Sequence, residues 1–215
     1  MNRKESILNT FNNCAKEYEA KLMNIEQYHS GFNLFCENIN NHNASLLEVG
    51  CGPGNVTKYI LDRRPNYNIL GIDIAKNMIT LAKNNNPSAD FKIMNALDID
   101  KLNQKFNGII SAFCFPYLSK EEVFTFIKKC SALLLPNGLL YISTMEDLYA
   151  NSRYITSSSG KNTAYQYFHE KEYIRDYLNQ NSFEILKMVN QDYISEGKVK
   201  ANDLIIIAKK RTDEA

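Results

Sequence analysis

No apolar run in this chain is longer than a strand requires, so no membrane-spanning helix is expected. The opening Met1-Asn2-Arg3-Lys4-Glu5 leads into polar sequence and lacks the apolar stretch of a secretion leader. Charge excess is missing too: 25 basic and 24 acidic side chains leave a formal net charge of +1. A protein gripping many phosphates needs a basic surplus, so a nucleic-acid partner is not expected. The Lys209-Lys210-Arg211 cluster reads as a solvated chain end. No Cys-x-x-Cys spacing links Cys14, Cys36, Cys51, Cys114 and Cys130, and the three histidines stand far apart. That pattern offers no zinc site, no metal is expected, and reduced cytoplasmic thiols are the default. There is no internal repeat and no break in composition. With 215 residues, 44% of them hydrophobic, the chain fits a single domain with one sizeable core.

What the chain does contain is Leu46-Leu47-Glu48-Val49-Gly50-Cys51-Gly52-Pro53-Gly54, followed by Gly71-Ile72-Asp73-Ile74. This reads as a buried strand, a glycine loop, a helix, and a second strand ending in a carboxylate. In open α/β sheets such a unit holds a nucleoside-bearing ligand at the carboxyl ends of the strands, with the acid on the ribose hydroxyls. The dinucleotide fingerprint Gly-x-Gly-x-x-Gly is broken, because Asn55 stands at its last position. Glu48 discriminates further. A carboxylate there would repel a pyrophosphate but attract a ligand carrying an ammonium and a sulfonium. Cys51 could be read as a nucleophile at a helix amino end, but no base lies nearby in sequence, and it reads as a small loop filler.

Apolar spacing and turn signals predict helices over residues 4–22, 31–39, 55–63, 76–84, 120–134 and 170–179. Strands are predicted over 45–50, 68–72, 90–94, 108–113, 139–144, 183–192 and 203–209, the last two as an antiparallel pair. Ser119-Lys120-Glu121-Glu122 matches a capping box, and Pro136-Asn137-Gly138 reads as a turn. Residues 146–164, with Ser157-Ser158-Ser159-Gly160 at their centre, read as a mobile excursion. The alternation implies a mostly parallel sheet with right-handed crossovers. The domain divides into a helical cap (1–42), a cofactor-binding core (43–145), a substrate-side insertion and helix (146–182) and a terminal strand pair (183–215).

Glu48-x-Gly50-x-Gly52-x-Gly54 with Asp73 resembles the class I S-adenosylmethionine-dependent methyltransferases. The resemblance runs from Phe11 to the last strand and is specific over residues 46–78. It implies a Rossmann-like fold: a seven-stranded, mostly parallel sheet with helices on both faces, an antiparallel terminal strand and an N-terminal helical cap. It implies S-adenosylmethionine as cofactor and a small-molecule substrate. RNA or protein methylation, and non-catalytic cofactor binding, stay open alongside it.

The resemblance also implies residue roles. Gly50, Cys51 and Gly52 would present backbone to the methionine portion, Gly54 would belong to the same cofactor site, and Glu48 would lie on the ammonium side. Asp73 would hold the ribose, while Ile74 and Met78 either cover the adenine or fill the core. Asn95-Ala96 replaces the family's Asp-Ala, with the Asn95 amide oxygen as substitute acceptor for the adenine amino group; Asp98 is a shifted alternative. Ala112 and Phe113 would line the methyl end. Phe11-x-x-x-Ala15-x-x-Tyr18-Glu19 is similar to a family cap helix, in which Tyr18 closes over the cofactor. Cys114-Phe115-Pro116-Tyr117 lacks the Asn/Asp-Pro-Pro-aromatic pattern of enzymes that methylate exocyclic or amide nitrogens. Tyr117 is left either as a wall of the acceptor pocket or as loop packing. The insertion with Tyr165, Tyr167, Phe168 and His169 is where the family often builds that pocket. His169 is then a general base or a surface neighbour of a helix cap.

Overall fold

In the computed structural model, residues 3–23, 26–156, 160, 162–195 and 197–212 are described; Ser157, Ser158, Ser159 and the side chains of Leu22 and Ser195 lie outside the described residues. In chain order the elements begin with α1 (Arg3–Leu22), α2 (His29–Glu37), β1 (Ser45–Val49), α3 (Asn55–Leu61) and β2 (Asn68–Asp73). Next come α4 (Lys76–Asn85), β3 (Asp90–Ile93), β4 (Phe106–Ala112), α5 (Lys120–Leu133) and β5 (Leu134–Met145). The chain continues through β6 (Arg153–Thr156), β7 (Thr163–Gln166), α6 (Lys171–Gln180), β8 (Phe183–Ser195) and β9 (Lys198–Lys210).

Seven strands form one sheet in the order β3-β2-β1-β4-β5-β9-β8. β1 to β5 run parallel, and β9 is antiparallel to both β5 and β8. Chain order reverses direction between β1 and β4, which opens a crevice at the carboxyl ends of these strands.

Successive strand residues serve opposite faces, so each strand feeds two cores. Leu47, Ile109, Leu140, Ile142, Leu204 and Ile206 pack against Val123, Phe126 and Ile127 of α5 and Ile174 and Leu178 of α6. Their neighbours Leu46, Ile110, Tyr141, Ile205 and Ile207 pack against Phe32 and Phe35 of α2 and Val56 and Ile60 of α3. Full burial of a ring such as Phe126 stabilises by roughly 1.5–3 kcal/mol. Covered on both faces, these strands read as near-continuous apolar runs.

α5 starts at the predicted capping box. The Glu122 amide donates to Ser119 Oγ at 3.3 Å, and the Ser119 amide donates to Glu122 Oε2 at 2.8 Å. The same Glu122 oxygen meets Arg3 at 2.5 Å, tying α1 to α5. α1 is further pinned to α4: Asn12 bonds Asn77, and Asn85 donates to Glu19 at 2.7 Å.

Two expectations need correction. β5 begins at Leu134 rather than at residue 139. Asn137 adopts φ 63°, which an asparagine tolerates, so the Pro136-Asn137-Gly138 step is absorbed as an irregularity. Phe106 therefore pairs with Leu134 and Gly108 with Leu139. The excursion at 146–164 is also more regular than its composition suggests. β6 and β7 pair from Arg153↔Gln166 to Thr156↔Thr163, with Tyr154 and Tyr165 opposed edge to face.

Candidate active site

β1 delivers its chain end into the crevice, and the glycine loop turns it back into α3. Gly50 has φ 73°, and a Cβ there would lie 3.2 Å from Cys114 Cβ. The positive φ favours glycine, and the close approach leaves little room for a side chain. Gly54 has φ 82° and serves as N-cap of α3. A Cβ at Gly54 would sit 2.4 Å from Asn86 Nδ2, which donates to the Gly54 carbonyl at 3.0 Å.

The loop borders a cavity of about 370 Å³ that spans the carboxyl ends of the strands beneath α1 and the Glu26–Tyr28 turn. Four acids line it, and two of them, Glu48 and Asp73, stand beside the glycine loop. Glu48, 2% exposed, accepts from the Thr57 hydroxyl, and no basic side chain pairs with it among the described residues. Burial pushes its carboxyl up to about 8; the Thr57 bonds oppose the rise and the charge of Asp73 adds to it. Asp73 Oδ2 accepts from the Gly52 amide at 3.0 Å and Oδ1 from the Ala75 amide at 2.8 Å. Burial raises its carboxyl, and these backbone bonds restrain the rise. Asp73 thus fastens the glycine loop to the tip of β2.

Tyr18 of α1 lies over the loop, its ring 3.7 Å from where a Gly52 Cβ would stand. Phe11 meets Tyr18 and Tyr117 edge to face, at 6.0 and 5.0 Å between ring centroids. At the β4 tip, Phe113 holds φ 54° and packs edge to face on Tyr28 at 5.1 Å. A non-glycine residue at positive φ beside a ligand crevice stores strain.

Residues 46–138 match a family model described as a methyltransferase domain. That segment is a methyltransferase domain. It is similar to malonyl-acyl-carrier-protein O-methyltransferase of Priestia megaterium, 31% identical over 147 residues, which is 67% of this chain and 53% of the relative. A methyltransferase of Alkaliphilus oremlandii with uncharacterised activity is 26% identical over 193 residues, covering 84% of this chain and 88% of the relative. Among solved structures, the 1,6-didemethyltoxoflavin-N1-methyltransferase of Burkholderia thailandensis aligns with a TM-score of 0.72 at 16% identity, covering 99% of this chain and 92% of that one. That enzyme was solved with bound 1,6-didemethyltoxoflavin and S-adenosylhomocysteine. Of the curated relatives, the chain spans 53% of the Priestia protein and 62% of one from Invertebrate iridescent virus 6.

Within the methyltransferase domain, the cavity wall gathers most residues singled out from the sequence. Glu48, Gly50, Cys51, Gly52 and Asp73 line one side. Ile74, Met78, Asn95 and Ala96 line the β2–β3 end, and Tyr18, Ala112, Phe113 and Tyr117 complete it. Cys51 is 1% exposed, and burial raises its thiol well above the usual range, as a filler's would be. Asn95 lines the wall, but its Oδ1 already caps the Ala96–Lys101 turn by accepting from the Leu97 amide at 2.8 Å. Asp98 pairs with Lys101 at 2.9 Å and does not line the cavity.

Two further candidates are not brought to the wall. Gly54 faces α4, because its missing side chain makes room for Asn86. His169 is fully buried behind the Phe115–Tyr117 turn, with Nε2 2.8 Å from the Phe115 carbonyl and Nδ1 bonded to the Tyr173 hydroxyl. Burial lowers its imidazole to about 4, and with both nitrogens engaged it is a structural link rather than an acceptor-side base. The aromatic insertion is corrected likewise. Tyr167 packs on Tyr165 and on Tyr149, while among the described residues of the insertion only Gln166 reaches the cavity, donating to the Tyr117 hydroxyl at 3.3 Å.

Sequence reasoning missed Thr57, Tyr28 and Asp203. Thr57 carried a signal: it is a polar residue on the buried face of α3, between Val56 and Ile60. Asp203 carried one too, as the lone acid opening the Leu204-Ile205-Ile206-Ile207 run.

Proposed function

We propose that this domain binds S-adenosylmethionine across the carboxyl ends of β1, β2 and β4 and methylates a small-molecule acceptor. The observation that carries the reading is Glu48, a buried carboxylate without a basic partner among the described residues, facing a cavity beside a glycine loop. A cationic amino-acid tail fits that site, because it would supply the missing counter-charge. Asp73 at the β2 tip suits a ribose diol, and the apolar Ile74, Met78 and Met94 suit a flat base.

When bound, the sulfonium supplies an electrophilic methyl carbon whose leaving group is a neutral thioether. The chain's own residues then bind, orient and exclude water. Glu48 anchors one end, Tyr18 and Phe11 cover it from α1, and Phe113, Tyr28 and Met145 keep most of the remaining space apolar. Positioning of this kind is worth on the order of 7–11 kcal/mol in favourable cases. A small acceptor is supported by the cavity's largely apolar wall beneath α1 and the Glu26–Tyr28 turn, where Phe11, Phe32, Phe113 and Met145 stand. The toxoflavin-type relative, whose acceptor is a small heterocycle, points the same way.

Calorimetry with S-adenosylmethionine and S-adenosylhomocysteine tests the reading. One-to-one binding of both is expected, weakened at least about tenfold in Glu48→Ala. No heat from either ligand at millimolar concentration would end it.

A further inference from the structure

We infer that Asp203 and Tyr28 form the acceptor-recognising end of the cavity, with Asp203 accepting a hydrogen bond from an O–H or N–H of the substrate and taking its proton during transfer. The inference rests on the methyl-transfer reading above and goes on to name the acceptor's chemical class.

Four acids line the cavity, and three are already engaged. Glu48 is held by Thr57, Asp73 by the Gly52 and Ala75 amides, and Glu122 by Arg3 and the α5 cap. Asp203, 2% exposed, has one side-chain hydrogen bond among the described residues: Oδ2 accepts from the Tyr28 hydroxyl at 2.6 Å. No basic side chain pairs with it there, so its second oxygen is available to a donor from the cavity. A buried carboxylate with an unfilled oxygen calls for such a donor.

Topology places the pair correctly. Asp203 opens the buried part of β9 opposite Met145 of β5, while Ala112 of β4 pairs with Ser143 of β5. Asp203 is therefore two strand spacings, about 10 Å, from the β4 tip, along the same edge of the sheet. Tyr28 spans that interval, with its ring on Phe113 at 5.1 Å and its hydroxyl on Asp203. Phe32, Met145, Tyr193 and Ala201 supply the rest of this wall. The phenols of Tyr28 and Tyr141 stand near Asp203, and Tyr193 lines the same cavity. The basic side chains that line the cavity, Arg3 and Lys4, both stand on α1, and Arg3 pairs with Glu122.

A neutral or cationic, largely apolar molecule carrying a hydroxyl or amine fits this end, whereas a carboxylate would meet like charge out of water. As the acceptor atom commits its lone pair to the new bond with the methyl carbon, the carbon–sulfur pair stays on sulfur. The proton from O–H or N–H passes to Asp203. Burial raises the Asp203 carboxyl, which strengthens it as a base, and the Tyr28 bond moderates the rise.

The test uses the full chain saturated with S-adenosylhomocysteine and two probes on one ring system, 2-naphthol and 2-naphthoate. Wild type is expected to bind 2-naphthol at least about tenfold more tightly than 2-naphthoate. Asp203→Asn should erase that preference while leaving the S-adenosylhomocysteine affinity within about twofold, because Asp203 lies away from Glu48 and Asp73. With S-adenosylmethionine instead, formation of 2-methoxynaphthalene should slow by about 10²-fold or more in Asp203→Asn. Should Asp203→Asn fail to fold, Tyr28→Phe is expected to weaken 2-naphthol binding about three- to tenfold and spare 2-naphthoate. Equal or tighter binding of 2-naphthoate, no binding of either probe, or an unchanged preference in the variants overturns the inference. If S-adenosylhomocysteine itself does not bind, the parent reading fails, and this one with it.

Discussion

Burial raises the Glu48 carboxyl to about 8, which favours its protonated form near neutral pH, and a cation beside it would reverse that preference. Its carboxyl titrates near 8 in the folded protein against about 4.5 in an open chain, so the native state binds the extra proton between those values. Stability contributed by Glu48 therefore falls as pH rises from about 4.5 to about 8, by up to about 1.4 kcal/mol per pH unit. Glu48→Gln is expected to flatten that part of a stability–pH curve measured by denaturant unfolding. The same linkage predicts that S-adenosylmethionine releases a proton from Glu48 on binding at pH 7. Calorimetric enthalpies should then vary with the ionisation heat of the buffer in wild type, and cease to vary in Glu48→Gln. His169 has the opposite sign: its imidazole is lowered to about 4, so its contribution is lost as pH falls through roughly 6.5 to 4. Glu48 and Asp73 were legible from sequence because a glycine loop fixes what stands beside it. His169 was misjudged because its burial depends on the Phe115–Tyr117 turn and on α6, which are distant in sequence and carry no spacing signal.

The helices and strands were largely readable, since covered parallel strands are apolar runs and α5 announces itself with Ser119 and Glu122. Ser119→Ala is expected to cost about 1 kcal/mol, a fall of roughly 2–4 °C in melting temperature, with cofactor affinity intact. Gly54→Ala should cost more. Its φ of 82° penalises any side chain by about 1–2 kcal/mol, and the new Cβ would collide with Asn86 2.4 Å away. Thermal unfolding of the two variants, side by side, checks that order. The departures occurred where local composition misleads. A serine-rich stretch concealed the β6–β7 hairpin, whose order comes from cross-strand tyrosines and from docking on α1 through Ser6 and Thr10. Long pairing between β8 and β9 likewise reaches Ser195 and Lys198, past the strand ends that hydrophobic patterning alone could set.

Across the molecule, the order β3-β2-β1-β4-β5-β9-β8 brings Asp73, Glu48, Phe113 and Asp203 to one edge from four different strands or their tips. The alternation of elements made the parallel half foreseeable. It could not show that Asp203, far along the chain, would end beside Tyr28 from the helical cap, because only the insertion of β9 between β5 and β8 achieves that. A ligand bridging the cap and the sheet edge should stabilise the whole fold. At a hundred times its dissociation constant, S-adenosylmethionine is expected to add about 2.7 kcal/mol, raising the melting temperature by roughly 5–10 °C. The most direct measurement is that thermal shift, recorded for wild type and Glu48→Gln with S-adenosylmethionine and, in parallel, with NAD. Stabilisation by S-adenosylmethionine alone, lost in Glu48→Gln, is the predicted result; stabilisation by NAD, or an S-adenosylmethionine shift indifferent to the substitution, would contradict the assignment of Glu48 to a cationic ligand.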